Sequence, residues 1–254
     1  MDFTKKQPQD WSHQNIANFW DWQSKDALRS TNYFTAVMAG GIVRFLRSRD
    51  MIKGKLLDYG CGSGHLLEQL AKENNAAYYG LDFSSDSVDE AKERTKSNTN
   101  VKAVVLVDRL PSPFENDTFD TITFIETIEH LQDDMLDETM KELYRILKPG
   151  GKLLITTPFN EDLEKHFTFC PFCRSAFHHM QHMQSFTIER LNKLLQQYSF
   201  NVTCCNNIDI EKWKLGSFKF FIKKSILSLA TYFNLKEKRS ETAPNLIAIA
   251  SKPL

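Results

Sequence analysis

Leu56 to Gly64 reads LLDYGCGSG: an apolar run closed by one acid, Asp58, then glycine at alternate positions, Gly60, Gly62 and Gly64. HLLEQLAKE comes next, with helical spacing. A strand, a glycine turn and a helix, in that order, build a cofactor pocket in an open α/β sheet. Glycine lets the backbone turn sharply and leaves no Cβ between the chain and a ligand. The dinucleotide fingerprint G-x-G-x-x-G needs glycine at its sixth place, where this chain has His65. The spacing therefore argues against a dinucleotide. A tight turn with no ligand satisfies the same pattern, so the meaning of the turn depends on the rest of the chain.

Beyond the turn, strands and helices alternate. AAYYGLDF reads as a second strand ending near Asp82, and SSDSVDEAKERT opens a helix with serine caps and acids. VKAVVLVD is a third strand ending at Asp108, and FDTITFIET a fourth. Leu136, Met140, Leu143 and Leu147 recur at helical spacing until Lys148-Pro149-Gly150-Gly151 stops them. GKLLITTP is a fifth strand. After the long stretch 159–186 come a helix at TIERLNKLLQQYS, a strand at Phe200–Asn206 and a last strand, NLIAIASK. Strands alternating with helices predict a parallel sheet covered on both faces. Residues 1–54 carry Trp11, Phe19, Trp20 and Trp22 on an early polar helix. They read as a helical cap whose aromatics are candidate pocket walls.

Composition sets the class. Of 254 residues, 41% are hydrophobic and 25% charged, ordinary for a globular chain with a sizeable core, and one domain over 1–254 is expected. Formal net charge is zero, so no global field draws the protein to nucleic acid. The start, MDFTKKQPQDW, lacks the apolar core of a signal peptide, and a cytoplasmic protein is expected. Five cysteines, Cys61, Cys170, Cys173, Cys204 and Cys205, do not make a disulfide framework.

The ordered set resembles the class I S-adenosylmethionine (SAM) methyltransferases. It rests on Asp58-x-Gly60-x-Gly62-x-Gly64, Asp82, Asp108, Phe119-Asp120, Glu126-Thr127-Ile128-Glu129-His130 and Leu147-Lys148-Pro149-Gly150-Gly151, over roughly residues 50–158 plus the closing strands. The resemblance implies a seven-stranded, mostly parallel Rossmann-like sheet whose last strand is antiparallel. It implies that Asp58, Gly60, Cys61, Gly62 and Gly64 line the carboxypropyl end of SAM. Asp82 would hold the ribose hydroxyls, Phe83 would flank the adenine and Asp108 would accept its amino group. Methyl transfer is an in-line displacement, so the nucleophile must be aligned and, if a hydroxyl, relieved of its proton.

Glu126, Glu129 and His130 are the candidate catalytic residues. They supply a base or hold a hard cation such as magnesium. Glu-x-x-Glu-His resembles both the ubiquinone-pathway O-methyltransferases and the small-RNA 3′-terminal 2′-O-methyltransferases. In the second group a later histidine, five residues before a helix-opening threonine, completes a magnesium site. His182 stands five residues before Thr187. Cys170, Cys173, His178 and His182 are spaced C-x2-C-x4-H-x3-H, which predicts a compact structural zinc clip competing for His182. From Glu211 to Arg239, within a basic insert over 207–242, eight Lys or Arg face two Glu around an apolar helical stripe. That insert reads as a cover helix or a contact with a membrane surface. Together these features predict O-methylation of a small or lipid-linked hydroxyl acceptor. An RNA 3′-terminal 2′-O-methyltransferase and a non-catalytic, zinc-stapled SAM-binding adaptor are the alternatives.

Overall fold

A computed structural model describes residues 11–25, 33–172, 174–210 and 244–254. The basic stretch 211–239 and Cys173 lie outside the described residues. Seven strands form one sheet: β1 (Gly54–Tyr59), β2 (Ala76–Asp82), β3 (Val101–Leu106), β4 (Phe119–Ile125), β5 (Leu147–Pro158), β8 (Asn201–Ile208) and β9 (Asn245–Ser251). Their order is β3-β2-β1-β4-β5-β9-β8. The first five pair in parallel, and β9 runs antiparallel between β5 and β8. This is the expected seven-stranded sheet.

Consecutive residues of a strand face opposite sides, so the central strands feed two cores. Leu57, Ile122, Phe124 and Leu153 pack on one face with α5 (Asp133–Ile146) and α6 (Ile188–Gln197), through Met140, Leu143, Leu191 and Leu195. Leu56 and Leu154 pack on the other with α2 (Phe34–Ser48) and α3 (His65–Leu70), through Ile42, Leu46, Leu66 and Leu67; Val88 and Ala91 of α4 (Ser85–Thr95) join them. Burial on both faces is why these strands read as unbroken apolar runs. β9 serves both layers: Leu246, Ala248 and Ala250 enter one core and Ile247 and Ile249 the other.

Helix α5 ends at Ile146, and the backbone turns extended at Leu147. Strand β5 therefore starts four residues before the expected Gly151. Phe119 pairs with Leu147, a register shift intervenes, and regular pairing resumes at Thr121 and Lys152. The shift absorbs Pro149 and Gly150.

Helix α1 (His13–Lys25) contacts the segments that follow β2 and β4, through Asp21 and Lys25 to the first and Trp20 to the second. Lys25 pairs with Asp86 at 2.7 Å, and Ser84 donates its hydroxyl to Asp21 at 2.7 Å. The stretch 159–186 holds a short hairpin, β6 (Phe167–Phe169) and β7 (Ala176–His178). Trp11 joins the two, edge-on to Phe19 at 6.0 Å and to Phe177 at 5.8 Å. Among the described residues no helix is long and apolar enough to cross a membrane.

Candidate functional site

Strand order reverses between β1 and β4, and in open α/β sheets ligands bind in the crevice at that switch point. The glycine turn sits there. Gly60, Gly62 and Gly64 have φ of +76°, +49° and +78°. Gly60 and Cys61 donate their amides to Leu81 O at 2.8 and 3.0 Å, which ties the turn to β2. A Cβ on Gly62 would meet no atom within 4 Å, so the turn opens to space at that point. A Cβ on Gly60 would lie 2.6 Å from the Thr127 hydroxyl, so the segment after β4 presses directly against the turn.

Two acids frame this space. Asp82 accepts the Gly62 amide at 2.8 Å and the Ser84 amide at 3.0 Å. Burial pushes its carboxyl up, against those bonds. Asp58 is 2% exposed and accepts the Thr123 hydroxyl at 2.8 Å through Oδ1. Its Oδ2 is buried with no hydrogen-bond partner, and burial pushes the carboxyl to about 7. The Ser63 hydroxyl is likewise buried and unpartnered. Two orphaned polar atoms beside a glycine turn fit a zwitterionic ligand end, as SAM presents. Phe83 is half-buried after Asp82, and Asp108 stands exposed past β3, where Val107 N bonds Asp82 O at 2.9 Å. Cys61 plays a packing part. Its side chain is buried beneath Gly80, where an added Cβ would lie 3.0 Å from the sulfur.

The second constellation lies just past β4. Glu126 has φ +46°, a strained value for a residue with a side chain, and its amide bonds Thr156 O at 2.9 Å. Burial pushes its carboxyl up. Glu129 sits in a short 3-10 turn (Ile128–His130) and is 1% exposed. It accepts the Thr157 hydroxyl at 2.9 Å through Oε2, while its Oε1 has no hydrogen-bond partner. Burial, then Glu126, pushes its carboxyl well up. His130 donates Nδ1–H toward Gln181 O at 3.4 Å, since a carbonyl only accepts. Burial, then His182, lowers its imidazole to about 3, so the ring is neutral.

Ligand atoms of Glu129, His130 and His182 lie within 4.8 Å of one another. The structure thus joins His182 to the cluster from 52 residues away. Trp20 of α1 covers it, its ring 4.7 Å from that of His130 and its indole N–H donated to Gln181 Oε1 at 3.1 Å. Gln181 in turn donates to His130 O at 3.0 Å. No local spacing announces Trp20 or Gln181 as parts of this site; the aromatic crowding of α1 is the one signal.

The zinc set expected on Cys170, Cys173, His178 and His182 does not gather among the described residues. Phe167 pairs with His178 and Phe169 with Ala176, and the Cys170 amide bonds Ser175 O at 2.9 Å. Alternation along these strands puts Cys170 on the face opposite His178. His178 instead meets Glu161, an acid that no motif in the sequence marks. His178 Nε2 lies 3.3 Å from Glu161 Oε1, and His182 Nδ1 lies 2.5 Å from Glu161 Oε2. Burial pushes the Glu161 carboxyl up, but the two histidines outweigh it and hold it well below the ordinary range.

A family model described as "Methyltransferase domain" matches residues 19–204. Methyltransferase GfsG of Streptomyces halstedii is 36% identical over 103 residues, 40% of this chain and 36% of that protein. The 2-phytyl-1,4-naphtoquinone methyltransferase of Nostoc punctiforme is 37% identical over 103 residues, 39% of this chain and 44% of that protein. The demethylmenaquinone methyltransferase of Staphylococcus aureus is 34% identical over 114 residues, 44% of this chain and 46% of that protein. The match thus spans less than half the length of these curated relatives. Among solved structures, a SAM-dependent methyltransferase from Clostridium acetobutylicum superposes with TM-score 0.60 at 14% identity, covering 94% of this chain and 100% of that one. The cyclase SpnF superposes at 0.66 and 17%, covering 96% and 97%. These likenesses show the fold.

Proposed function

The chain belongs to the methyltransferase-domain family, and from that premise we propose that it transfers the methyl group of SAM to a hydroxyl oxygen of a small or lipid-linked acceptor. One observation carries the reading. An oxygen-rich cluster, half-buried Glu126 and buried Glu129 with His130, lies past β4 at the point where Thr127 presses on the glycine turn. Asp58, Ser63, Gly60, Gly62 and Gly64 would receive the amino-acid end of SAM; Asp82, Phe83 and Asp108 would receive its adenosine. Bound SAM supplies an electrophilic methyl on a sulfonium. As the oxygen–carbon bond forms and the carbon–sulfur bond breaks, the hydroxyl proton must leave; Glu126 and Glu129 would take it only in their ionised forms, which burial disfavours, and the neutral imidazole of His130 is the other acceptor of the cluster. Trp20 and Gln181 exclude water from that step. Relatives named for naphthoquinone and menaquinone methylation support a small-molecule acceptor.

A second reading, the 2′-hydroxyl at an RNA 3′ end, draws on the arrival of His182 beside Glu129 and His130. Those three, with Glu126, would hold a divalent cation. The unpartnered Glu129 Oε1 fits that role. Two imidazoles favour manganese, iron or cobalt over the magnesium expected from sequence. Such a cation supplies charge that acidifies the acceptor hydroxyl.

The test is incubation of the protein with cell extract and methyl-labelled SAM, then separation of small molecules, lipids and RNA. Label in the small-molecule or lipid fraction, lost in Glu129→Gln, supports the first reading. Label on RNA 3′ ends that then resist periodate supports the second. SAM binding with no labelled product in any fraction overturns both and favours the adaptor.

A further inference from the structure

We propose that Glu161 is a positioning residue, which accepts a hydrogen bond from Nδ1–H of His182 and so turns the lone pair of that imidazole, on Nε2, toward Glu129 and His130. The inference rests on the reading of that cluster as the reacting site.

The chain of contacts begins at His178. Its Nδ1 accepts two backbone amides, those of Met180 and His182, each at 3.2 Å. An amide can only donate, so Nδ1 carries the lone pair and Nε2 carries the proton. Nε2 lies 3.3 Å from Glu161 Oε1, close enough for electrostatic attraction but outside hydrogen-bond geometry. His178 therefore offers no electron pair to a cation on its Glu161 side. Although Glu161, His178 and His182 also crowd together, the trio reads as a brace and not as a ligand set.

Glu161 is held by that brace and presents Oε2 to His182 Nδ1 at 2.5 Å. A neutral imidazole that donates from Nδ1 must accept at Nε2. The ring is clamped in this orientation. It stacks on His178 with centroids 4.3 Å apart and planes at 14°, and meets His130 edge-on at 4.8 Å. His130 is set the same way, its Nδ1 turned to the Gln181 carbonyl. Two histidines thus have their Nδ1–H groups bonded to fixed acceptors behind them, and Nε2 is the atom each is left to present. Histidine ligands and bases are commonly oriented by such an outer acceptor.

The test reads the tautomer directly. Nitrogen-15 NMR of the imidazoles, with His182 assigned by its loss in His182→Gln, is expected to show the Nδ1–H form in the wild type. A shift toward Nε2–H is expected in Glu161→Ala. Cobalt titration with visible absorption supplies a second readout on the same proteins. Glu161→Ala is expected to bind Co2+ about 10- to 100-fold more weakly. Glu161→Gln, which keeps an acceptor for Nδ1–H, is expected to recover much of that loss. Should Glu161→Ala not fold, the tautomer of His182 in the wild type decides the matter by itself. His182 found as Nε2–H or as an imidazolium in the wild type overturns the proposal, as does an unchanged tautomer in Glu161→Ala. A wild type that binds no cobalt but shows Nδ1–H at His182 removes the cation reading and leaves the orienting role of Glu161 standing.

Discussion

Replacing Asp58 by asparagine tests the cofactor site through its protons. In the cofactor-free chain burial raises this carboxyl from an ordinary 3.8 to about 7, because Oδ2 has no partner and only Thr123 serves Oδ1. At about pH 7 the group is therefore about half protonated. The amino-acid end of SAM brings an ammonium, and a cation beside the orphaned oxygen favours the ionised acid. Binding should then expel about half a proton at about pH 7 and less than about a tenth above pH 8. The free protein holds the proton more tightly than the complex, so SAM affinity rises with pH up to about 7 and flattens beyond. The same displacement acts on stability. Between pH 3.8 and 7 the folded chain binds a proton that the unfolded chain has lost, so stability falls as pH rises, by about 4 kcal/mol over the window. Calorimetry in buffers of different ionisation enthalpy counts the released proton. In Asp58→Asn the count is expected to drop to near zero. A wild-type count of zero, or the same count in the variant, refutes the reasoning; an equal count shifts attention to Glu126, whose carboxyl burial also raises.

Gly62→Ala is expected to lower stability by only about 1–2 kcal/mol, from left-handed backbone strain, since its Cβ meets nothing. Its SAM affinity should fall more steeply; equal affinity in a folded variant would move the ligand away from the turn. Gly60→Ala, whose Cβ strikes Thr127, should cost more in unfolding measurements than Gly62→Ala. Glu142 accepts Ser112 N at 2.9 Å and two Arg145 nitrogens at 2.7 and 2.8 Å, and is nearly buried. Burial pushes its carboxyl up, but Arg145 and Ser112 outweigh it and hold it below 4.5. That stabilisation is present above about pH 4.5 and is lost as pH falls below it; Glu142→Ala should cost about 3 kcal/mol at neutral pH and flatten the acid limb of a urea series. Trp20→Ala uncovers His130 and should lower kcat by about tenfold while SAM affinity stays within about twofold; an unchanged kcat would make α1 a bystander.

The sheet was legible because its information is local. LLDYGCGSG carries strand, turn and helix in consecutive residues, and Leu56 and Leu57 feed two cores. The cysteine–histidine spacing is harder to read for the opposite reason. Counting residues from Cys170 to His182 leaves out that Cys170 and His178 lie on opposite faces of a hairpin. Glu161 escaped because its partners are 17 and 21 residues away, and no periodicity links them. Trp20 and Gln181 are 161 residues apart, and only the fold brings them together. The antiparallel hand of β9 came from resemblance alone, since NLIAIASK reads the same in either direction of pairing.

That last strand has a consequence for how the protein is made. β9 lies inside the sheet, bonded to β5 on one side and β8 on the other, and fills both cores. The glycine turn and both carboxylate clusters emerge from the ribosome long before it does. Until residues 245–251 arrive, β5 is an open edge with apolar residues on both sides, a template for wrong partners. A chain cut short before that strand would carry every residue of the site on a sheet whose two cores lack the residues that β9 adds to them.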